Sequence, residues 1–390
     1  MHGSFKNGRL RSLNKTETAE KTIVYVGGFE LPDRNAAAHR VLAVAKMLRD
    51  CGYRVVLIGA GRDTGGRPVL QTRTTVQGFV CYAVPYPKGL AQWPGYLADI
   101  TPVRQVIEAI GGADAVLCYN YPAAAFARLR RDCHRQGRRI LADCTEWYNL
   151  LEVSPLFKLI KGTDTWLRMR VIQKHLDGMI VISRYLQRYY QGCPHIAYLP
   201  PLVDTTDAKW NCEPKPRGPE VTFVYLGNPG HKDKLSRILT AVTAAARQYP
   251  CRLWVIGADW QDFVRLNPDW QGREPDPCVS FLGRLPHEES LAYLKSADCS
   301  FIIRDNTRTN NAGFPTKFVE AVTMGTDVIA SDISDLRDYQ DRVPGLYLTD
   351  DVEKTILQYA AEHTGKTGQK RPQTIFDYRN WLEEIPKLGI

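Results

Sequence analysis

A lysine and a glutamate stand one helical turn apart in the stretch NNAGFPTKFVEAVTMGTDVIAS, residues 310–331. The pattern predicts a loop, a short helix opened by Pro315 and Thr316 and closed by Gly325, and then a buried strand. Lys317 falls in the first helical turn, where the helix dipole is positive and a cation is unfavourable. A bound phosphate would remove that penalty, because the free N–H groups at a helix start attract anions.

Glu320 lies one turn deeper, too far along the helix to meet the same phosphate. Its carboxylate could accept hydrogen bonds from the two hydroxyls of a ribose. The pair therefore predicts a nucleotide or sugar nucleotide whose phosphate lies at Lys317. The spacing fits a surface Lys317–Glu320 ion pair equally well, and such a pair stabilises a helix by roughly 0.2–0.5 kcal/mol.

A glycine-rich loop, in FVYLGNPGHKDKL, follows a predicted strand directly. Gly227 and Gly230 permit close approach of the backbone to a ligand, and Lys232 and Lys234 are within reach of an anion. Many strand-to-helix loops contain glycine and lysine. This loop therefore predicts an anion-binding site only in combination with the helix at Lys317.

The elements that must position these residues alternate between apolar strands and helices. KTIVYVGGFE, RNAAAHRVLAVAKMLRDCG and YRVVLIG form a strand, a helix and a strand. Further strands are predicted at FVCYAV, AVLCYN, RRILADC, GMIVIS and HIAYLP, and then at VTFVYLG, CRLWVIG, VSFLGRL, DCSFIIR and TDVIAS. Uniformly apolar strands of this kind predict parallel sheets covered on both faces.

The fold class expected is α/β, with two Rossmann-like domains facing each other across a cleft. The expected boundaries are a flexible basic tail at 1–21, a first domain at 22–203, a linker at 204–220, a second domain at 221–373 and a terminal helix at 374–390 that packs back on the first domain. Ligands of such sheets bind beyond the carboxyl ends of the strands, so the cleft is the expected site.

The composition is that of an ordinary soluble protein, 44% hydrophobic and 24% charged. The net charge of +9 favours anionic partners such as nucleotides or phospholipid surfaces. Ten cysteines include no C-x-x-C pair, and Cys81, Cys118 and Cys299 lie in apolar runs typical of buried thiols. Neither an export signal nor a membrane span is evident, so a reduced, cytoplasmic setting is expected.

In this order, the two motifs resemble the donor half of GT-B glycosyltransferases, nearest the retaining group 1 or family 4 type. YVGGFELPDRNAAAHRVLAVAKMLRDCGYRVVLI resembles the opening unit, IVISRYLQRYY and YLPPLVD resemble the approach to the linker, and VSFLGRLPHEESLAYLKSADCSFII and GFPTKFVEAVTMGTDVIAS resemble the donor site. The resemblance implies a glycosyltransferase, a hexosyltransferase by preference. Its donor would be a nucleotide sugar of UDP or GDP type, and its acceptor a saccharide or lipid-linked saccharide in surface polysaccharide or glycoconjugate synthesis.

The resemblance also implies roles for individual residues. Glu320 would hold the ribose, while Lys317, Phe318 and the Pro315–Thr316 helix start would line the diphosphate. Lys232 resembles the family's lysine in the glycine loop, with Lys234 as its competitor. Gly28 and Arg304 are two further candidates for the donor site.

Two departures from the family pattern stand out. Asn228 occupies the place of a frequent arginine, which leaves room for Arg304 to contribute. In the E-x7-E pattern the first glutamate falls at Ala312, so that Asn310 and Asn311 are candidates to bind the donor sugar instead.

In the first domain, Gly27 and Gly28 would let the backbone approach the diphosphate or would simply form a tight turn. Asp143 and Glu146, in ADCTEWYN, are expected to project into the cleft and to bind sugar hydroxyls or act as a base toward the acceptor. A helix cap is the other interpretation of Asp143.

For a retaining enzyme the family implies front-face attack, with the proton passing to the leaving diphosphate and no protein nucleophile. Lys232, Lys317 and the helix dipole would stabilise the leaving group. The chain contains no D-x-D motif, so no metal and no cofactor is expected.

A basic amphipathic segment, LFKLIKGTDTWLRMRVIQKHL, could lie on an anionic membrane surface or pack as an ordinary helix with a solvated basic face. Location at the inner face of the membrane is therefore an open expectation. Nucleic-acid binding has only the net charge in its favour.

Two alternative functions share the fold. One is a non-catalytic glycosyltransferase-like scaffold subunit, and the other is a GT-B-shaped sugar-nucleotide epimerase.

Overall fold

Strands of the first half form one doubly wound sheet. The computed structural model describes residues 20–32, 36–147, 155–228, 230, 232–366 and 371–390, so residues 1–19 of the expected tail lie outside it. The strands are β1 (Thr22–Gly27), β2 (Arg54–Gly61), β3 (Thr74–Val76), β4 (Phe79–Pro85), β5 (Ala115–Tyr119), β6 (Arg139–Cys144), β7 (Gly178–Val181) and β8 (Ile196–Tyr198). Their order is β3-β4-β2-β1-β5-β6-β7-β8, and the β3–β4 pair is antiparallel while the other pairs are parallel.

Helices connect these strands and cover the sheet. They are α1 (Ala36–Asp50), α2 (Trp93–Ala98), α3 (Thr101–Ala109), α4 (Ala123–Arg135), α5 (Pro155–Leu167) and α6 (Arg184–Tyr189). A π-helical turn at Arg168–Ile172 continues α5. Because β1 and β5 are neighbours from which the chain winds in opposite directions, a crevice opens beyond their carboxyl ends.

The second half repeats the plan with six parallel strands. These are β9 (Val221–Leu226), β10 (Cys251–Ile256), β11 (Val279–Phe281), β12 (Cys299–Ile302), β13 (Asp327–Ala330) and β14 (Leu346–Leu348), in the order β11-β10-β9-β12-β13-β14. The helices are α7 (Leu235–Ala246), α8 (Trp260–Leu266), α9 (His287–Ser296), α10 (Arg308–Ala312), α11 (Thr316–Met324) and α12 (Val352–His363).

Alternation along β9 divides the second core between the two faces of its sheet. Phe223 and Tyr225 pack in one cluster with residues of α7 and α12, while Val224 and Leu226 join the core shared with α9 and α11. Successive side chains therefore bury both faces, as the uniformly apolar strand sequences predict. The predicted two-domain Rossmann-like fold is confirmed.

Two short edge strands escaped sequence-based prediction. β3 is three residues long with two exposed threonines, and β14 is equally short. Such segments carry too few alternating positions to stand out from the surrounding turns.

The chain returns to the first domain at its C-terminal end. The expected terminal α-helix is instead a 3-10 segment over Tyr378–Leu388 with Pro386 inside it. Proline has no N–H to donate and disturbs an α-helical turn, which accounts for the difference. The segment packs on α1, where the Tyr378 hydroxyl donates to Asp50 at 2.9 Å.

The domains also meet directly through hydrogen bonds. Ser183 Oγ donates to the carbonyl of Ala312 at 2.8 Å. The backbone N–H of Arg184 and the hydroxyl of Tyr198 both donate to Asp335, at 2.9 and 3.0 Å. These bonds lie at the carboxyl ends of β7 and β8, and they hold the end of α10 and the loop after β13 against the first domain.

Exposed apolar side chains are concentrated on one segment. Trp166, Leu167 and Val171 are 52%, 38% and 40% exposed at the junction of α5 with the π-helical turn. The basic residues Arg170 and Lys174 beside them are exposed as well. Within the described ranges, no helix combines the length and apolar character needed to cross a bilayer.

We expect the aromatic cluster under α11 to anchor the C-terminal segment. Phe376 is fully buried, with ring centroids 5.7 Å from Phe318 and 5.0 Å from Tyr339. Phe376→Ala should lower the free energy of unfolding by about 3–5 kcal/mol, as large cavities in cores do. Urea denaturation measures the change.

Leu266→Ala is the matched control, because this apolar side chain is 38% exposed. It should change the free energy of unfolding by no more than about 0.5 kcal/mol. Equal effects of the two substitutions would contradict the anchoring role of Phe376.

Candidate active site

The donor-side residues meet where the winding of the second sheet reverses. β9 and β12 are neighbours, and the chain leaves them toward opposite edges of the sheet. Gly227 follows β9, and Arg304 lies just beyond β12. Lys317, in the first turn of α11, reaches the same point. This is the position at which open parallel sheets bind their ligands.

A buried carboxylate joins these elements. Lys317 Nζ lies 2.6 Å from Oδ2 of Asp233, and Arg304 Nε lies 2.5 Å from Oδ1. The Tyr225 hydroxyl donates to the same Oδ2 at 2.7 Å. Lys317 Nζ also stands 4.4 Å from the centroid of the Tyr225 ring, within cation–π distance. We call Tyr225, Asp233, Arg304 and Lys317 the switch-point cluster.

The environment of the cluster shifts two pKa values. Burial lowers the pKa of the Lys317 ammonium, and the nearby Arg304 lowers it further, although Asp233 acts in the opposite direction. Burial alone would raise the pKa of the Asp233 carboxyl, but Lys317 and Arg304 outweigh it and bring the pKa to about 2. Asp233 is therefore ionised at any working pH.

Gly227 leaves room for the side chain of Lys317. Its φ of +117° lies in the region that side chains rarely adopt, and a Cβ there would stand 2.6 Å from Cε and 2.7 Å from Nζ of Lys317. The lysine head therefore rests against the bare backbone at the end of β9. From the sequence, Gly227 and Gly230 are expected to let the backbone approach a ligand; in the structure Gly227 makes room for Lys317, and a Cβ at Gly230 would meet nothing within 4 Å.

The predicted helix at Lys317 is present as α11. Pro315 stands at its N-cap and Gly325 ends it at φ +71°. The alternative of a surface Lys317–Glu320 ion pair was wrong, because Lys317 pairs with Asp233 and Glu320 accepts from His287 Nε2 at 3.0 Å.

Glu320 lines a cavity of about 410 Å³ between the domains. The cavity is bounded by α1, by the linker, and by the starts of α9 and α11. His39 of α1 reaches across it, and its ring centroid lies 5.1 Å from that of His287. Glu320 thus faces the space between the domains, and its side chain is 24% exposed.

The other donor-side candidates are distributed around this point. Asn228, Lys232 and Thr316 are exposed, and Lys234 pairs with Asp305 at 2.6 Å. The exposed head of Lys232 belongs to the glycine loop and stands one residue before Asp233.

Phe318 does not line the site. Its side chain is fully buried and packs against the rings of Phe314 and Phe376. Its backbone N–H donates to the carbonyl of Pro315 at 3.1 Å. The prediction that Phe318 contacts the diphosphate was therefore wrong, because the helix turns this position toward the core.

The prediction for Asp143 was wrong as well. It was expected to project into the cleft, but its side chain is fully buried. Arg40 holds it through Nη2 at 2.7 Å and Nε at 2.9 and 3.0 Å, and the Tyr25 hydroxyl donates to it. It is neither a helix cap nor placed to reach an acceptor.

Glu146 lies just beyond β6, at the carboxyl edge of the first sheet. Asn120, whose φ is +41°, donates to Thr145 Oγ1 at 2.8 Å and to Glu146 Oε1 at 3.3 Å. The following residue, Trp147, lies 5.1 Å from the guanidinium of Arg308 in α10 of the second domain. Glu146 therefore stands beside the contact between the domains.

The two asparagines of α10 have their side chains hydrogen-bonded within the second domain. Asn310 donates to the carbonyl of Asp305 at 2.8 Å, and Asn311 donates to Asn306 at 2.6 Å. Ala312, at the position of the missing glutamate, is fully buried. The Gly28 end of β1 is exposed, and a Cβ there would meet nothing within 4 Å.

Two family descriptions match the chain, one on each domain. "Glycosyl transferase 4-like domain" matches residues 35–201, and "Glycosyl transferases group 1" matches residues 220–361. The chain belongs to the group 1 glycosyltransferases. It is therefore a glycosyltransferase enzyme, as its motifs predict.

Solved structures share the fold of this glycosyltransferase over nearly its whole length. Sucrose-phosphate synthase from Thermosynechococcus elongatus has 16% identity and a TM-score of 0.65, covering 95% of this chain and 98% of that one. HepE from Anabaena, solved with UDP and glucose, has 12% identity and a TM-score of 0.62, with coverage of 94% and 99%. Starch synthase IV from Arabidopsis thaliana, solved with ADP and acarbose, has 13% identity and a TM-score of 0.56, with coverage of 95% and 95%. No curated protein matches the sequence.

Sequence reasoning missed three residues of the glycosyltransferase site. In the sequence, Asp233 lies between two lysines in a loop, where an acidic residue is normally solvent-exposed. Its burial and its pairing with Lys317 appear only in the structure. His287 and Arg40 are brought to the cleft and to Asp143 by tertiary packing, and no local motif marks them. Among the described residues, no group of three His, Cys, Asp or Glu side chains is arranged to hold a metal ion.

Gly227→Ala should disturb the switch-point cluster. Alanine at this φ is strained by about 1–3 kcal/mol, and its Cβ would push the head of Lys317 from its place. We expect a corresponding loss in the free energy of unfolding, measured by urea denaturation. Gly230→Ala is the control, because a Cβ there meets nothing within 4 Å. An unchanged free energy of unfolding in Gly227→Ala would contradict the close contact between Gly227 and Lys317.

Proposed function

We propose that this glycosyltransferase takes a nucleotide-sugar donor of UDP or GDP type. It would transfer the sugar to a saccharide or lipid-linked saccharide acceptor with retention of configuration. The observation that carries the proposal is the half-buried Lys317 ammonium, held beside Arg304 and bare backbone at the carboxyl edge of the second sheet. Two cations at a topological switch point are suited to a diphosphate.

The diphosphate would lie between Gly227 and the start of α11. Lys317 and Arg304 supply fixed positive charge there, and exposed Lys232 supplies a mobile one. The N–H groups of the first helical turn add donors that an anion can use. This arrangement supports binding of the phosphates without a metal ion, which makes metal-independent transfer part of the proposal.

The ribose would lie beside Glu320, one turn farther along α11. The carboxylate faces the cavity between the domains and has His287 as its partner. Two oxygens can accept from the vicinal hydroxyls of a ribose. Solved structures of similar fold hold nucleotides, among them HepE with UDP-glucose and starch synthase IV with ADP.

The acceptor would approach from the first domain near Glu146. This carboxylate is held by Asn120, and it would accept hydrogen bonds from sugar hydroxyls. Asp143 is committed to Arg40, so the acceptor's proton goes elsewhere. We propose that the bond from the anomeric carbon to the leaving phosphate oxygen breaks while the acceptor oxygen attacks on the same face. The leaving phosphate oxygen accepts the acceptor's proton, and Lys317 stabilises its charge.

An anionic membrane surface is the proposed second partner. Trp166, Leu167 and Val171 form an exposed apolar strip, and Arg170 and Lys174 flank it with positive charge. Apolar insertion combined with attraction to anionic lipid is how interfacial helices bind. Such docking would bring the cleft to a lipid-linked acceptor. Phe157 and Lys158 of the predicted amphipathic segment lie outside the described side chains.

Glu320→Gln should weaken nucleotide binding. The amide offers one acceptor where the carboxylate offers two, and hydrogen bonds to a charged group are worth about 1.5–3 kcal/mol. We therefore expect about 10- to 100-fold weaker binding of the preferred nucleoside diphosphate. Calorimetric titration of wild type and variant with UDP, GDP, ADP and TDP measures this.

The control for that titration is Glu353→Gln, an exposed glutamate on α12. It should bind like the wild type. Absence of nucleotide binding in the wild type would refute the proposed donor. Release of a free isomerised sugar nucleotide, without transfer to any acceptor, would favour an epimerase instead.

Replacing Trp166 and Leu167 together by serine should abolish binding to vesicles. We expect the wild type to float with vesicles containing anionic phosphatidylglycerol and not with pure phosphatidylcholine, because the flanking residues are cationic. Leu266→Ser is the control, since Leu266 and Leu167 are both 38% exposed. Equal flotation of the double variant and the wild type would contradict the membrane surface.

A further inference from the structure

We propose that Asp233 is the positioning residue of the donor site, whose carboxylate fixes Lys317 and Arg304 side by side so that both face the diphosphate. The inference rests on the proposed function, because the diphosphate is part of it. Neither a motif nor the family pattern assigns a role to this residue.

The contacts of Asp233 divide its two oxygens between two cations. Oδ1 takes Arg304, while Oδ2 takes Lys317 and the Tyr225 hydroxyl. The carboxylate is 6% exposed, so water does not compete for it. Each cation comes from a different element, and Asp233 is what brings their heads together.

The backbone around Asp233 is fixed as well. Asp233 forms an isolated antiparallel bridge with Arg304, and the N–H of Lys234 donates to the carbonyl of Ile303 at 2.8 Å. The end of the glycine loop is therefore tied to the end of β12. These bonds fix the backbone of Asp233 beside the switch point.

The charge of the cluster points to an anionic ligand. Within the cluster, two cations and one anion leave a net charge of +1, not counting Glu320, which pairs with His287, and the side chains of Arg304 and Lys317 are 16% and 19% exposed. A partly buried charge without a counter-ion carries a desolvation cost, so this excess favours an anionic ligand. A diphosphate completes the balance. Asp233 holds the cations ready without neutralising both of them.

Asp233 also sets the protonation of Lys317. The ionisable groups around the ammonium are Asp233, Arg304, Tyr225 and Glu320. Burial and Arg304 lower the Lys317 pKa, while Asp233 and Glu320 raise it. Without the Asp233 carboxylate, Lys317 should lose its proton at lower pH, and a neutral amine no longer attracts a diphosphate.

The test compares wild type with Asp233→Asn, which keeps the shape and removes the charge. One arm needs no ligand: competitive acetic-anhydride labelling, read by peptide mass spectrometry, gives the titration of Lys317. The other arm measures the dissociation constants of UDP and GDP by calorimetry between pH 6 and pH 10. Asp305→Asn is the matched control, because Asp305 pairs with exposed Lys234.

In Asp233→Asn we expect Lys317 to titrate at least about one pH unit lower, as loss of a contacting opposite charge implies. Nucleotide binding should already be weaker than in the wild type at pH 6, because the two cations lose the carboxylate that places them, and it should fall off at correspondingly lower pH. Asp305→Asn should leave both curves in place. An unshifted Lys317 titration, or nucleotide binding equal to that of the wild type at pH 6, would overturn the positioning role.

Arg304→Gln is a second test, in which the titration of Lys317 should shift in the opposite direction. It can be used even if Asp233→Asn does not fold. Removing the neighbouring positive charge should move the Lys317 titration to higher pH, although binding weakens. A shift to lower pH would overturn the inference. If wild type binds neither UDP nor GDP, the proposed function fails and the inference falls with it. Wild-type binding with an unmoved Lys317 titration defeats the inference alone.

Discussion

One buried carboxylate between two cations determines the geometry of the cleft. Asp233 ties Lys317 at the start of α11 to Arg304 at the end of β12, with Tyr225 of β9 donating to it. Three elements of the second sheet thereby converge on the place where its winding reverses. Gly227 completes the arrangement, because only a residue without Cβ leaves room for the lysine head.

The first domain contains a counterpart with a different purpose. Arg40 and Asp143 form a buried pair, and Arg40 Nη1 also donates to the carbonyls of Leu199 and Pro200 at 3.0 and 3.3 Å. This pair joins α1 to β6 and to the chain after β8. Its charges balance, whereas the switch-point cluster keeps one positive charge in excess. That difference separates a structural ion pair from a site that awaits an anion.

The sequence predicts most of the fold because its strands are uniformly apolar and its helices are punctuated by proline and glycine. The strand at FVYLG became β9, and the helix between Pro315 and Gly325 became α11. Periodicity does not reveal where a side chain ends up after packing. Asp143 lies near the carboxyl end of β6, where ligand-binding aspartates are common, yet it is paired inside the protein with Arg40, 103 positions earlier in the chain.

The same limit applies to the candidate site. Lys317 and Glu320 could be selected because a lysine at a helix start conflicts with the dipole. Phe318 was implied by the family resemblance, but it lies one residue farther along the helix, which turns its side chain by about 100° and into the core. Asp233 could not be found at all, since its partners come from segments about 70 and 80 positions away and only the fold joins them.

A crystal structure of the protein with UDP or GDP tests the central claim most directly. The proposal predicts phosphate oxygens within hydrogen-bond distance of Lys317 Nζ and the N–H groups that open α11. It also predicts both ribose hydroxyls on Glu320. A nucleotide bound elsewhere, with Lys317 still paired only to Asp233, would contradict it.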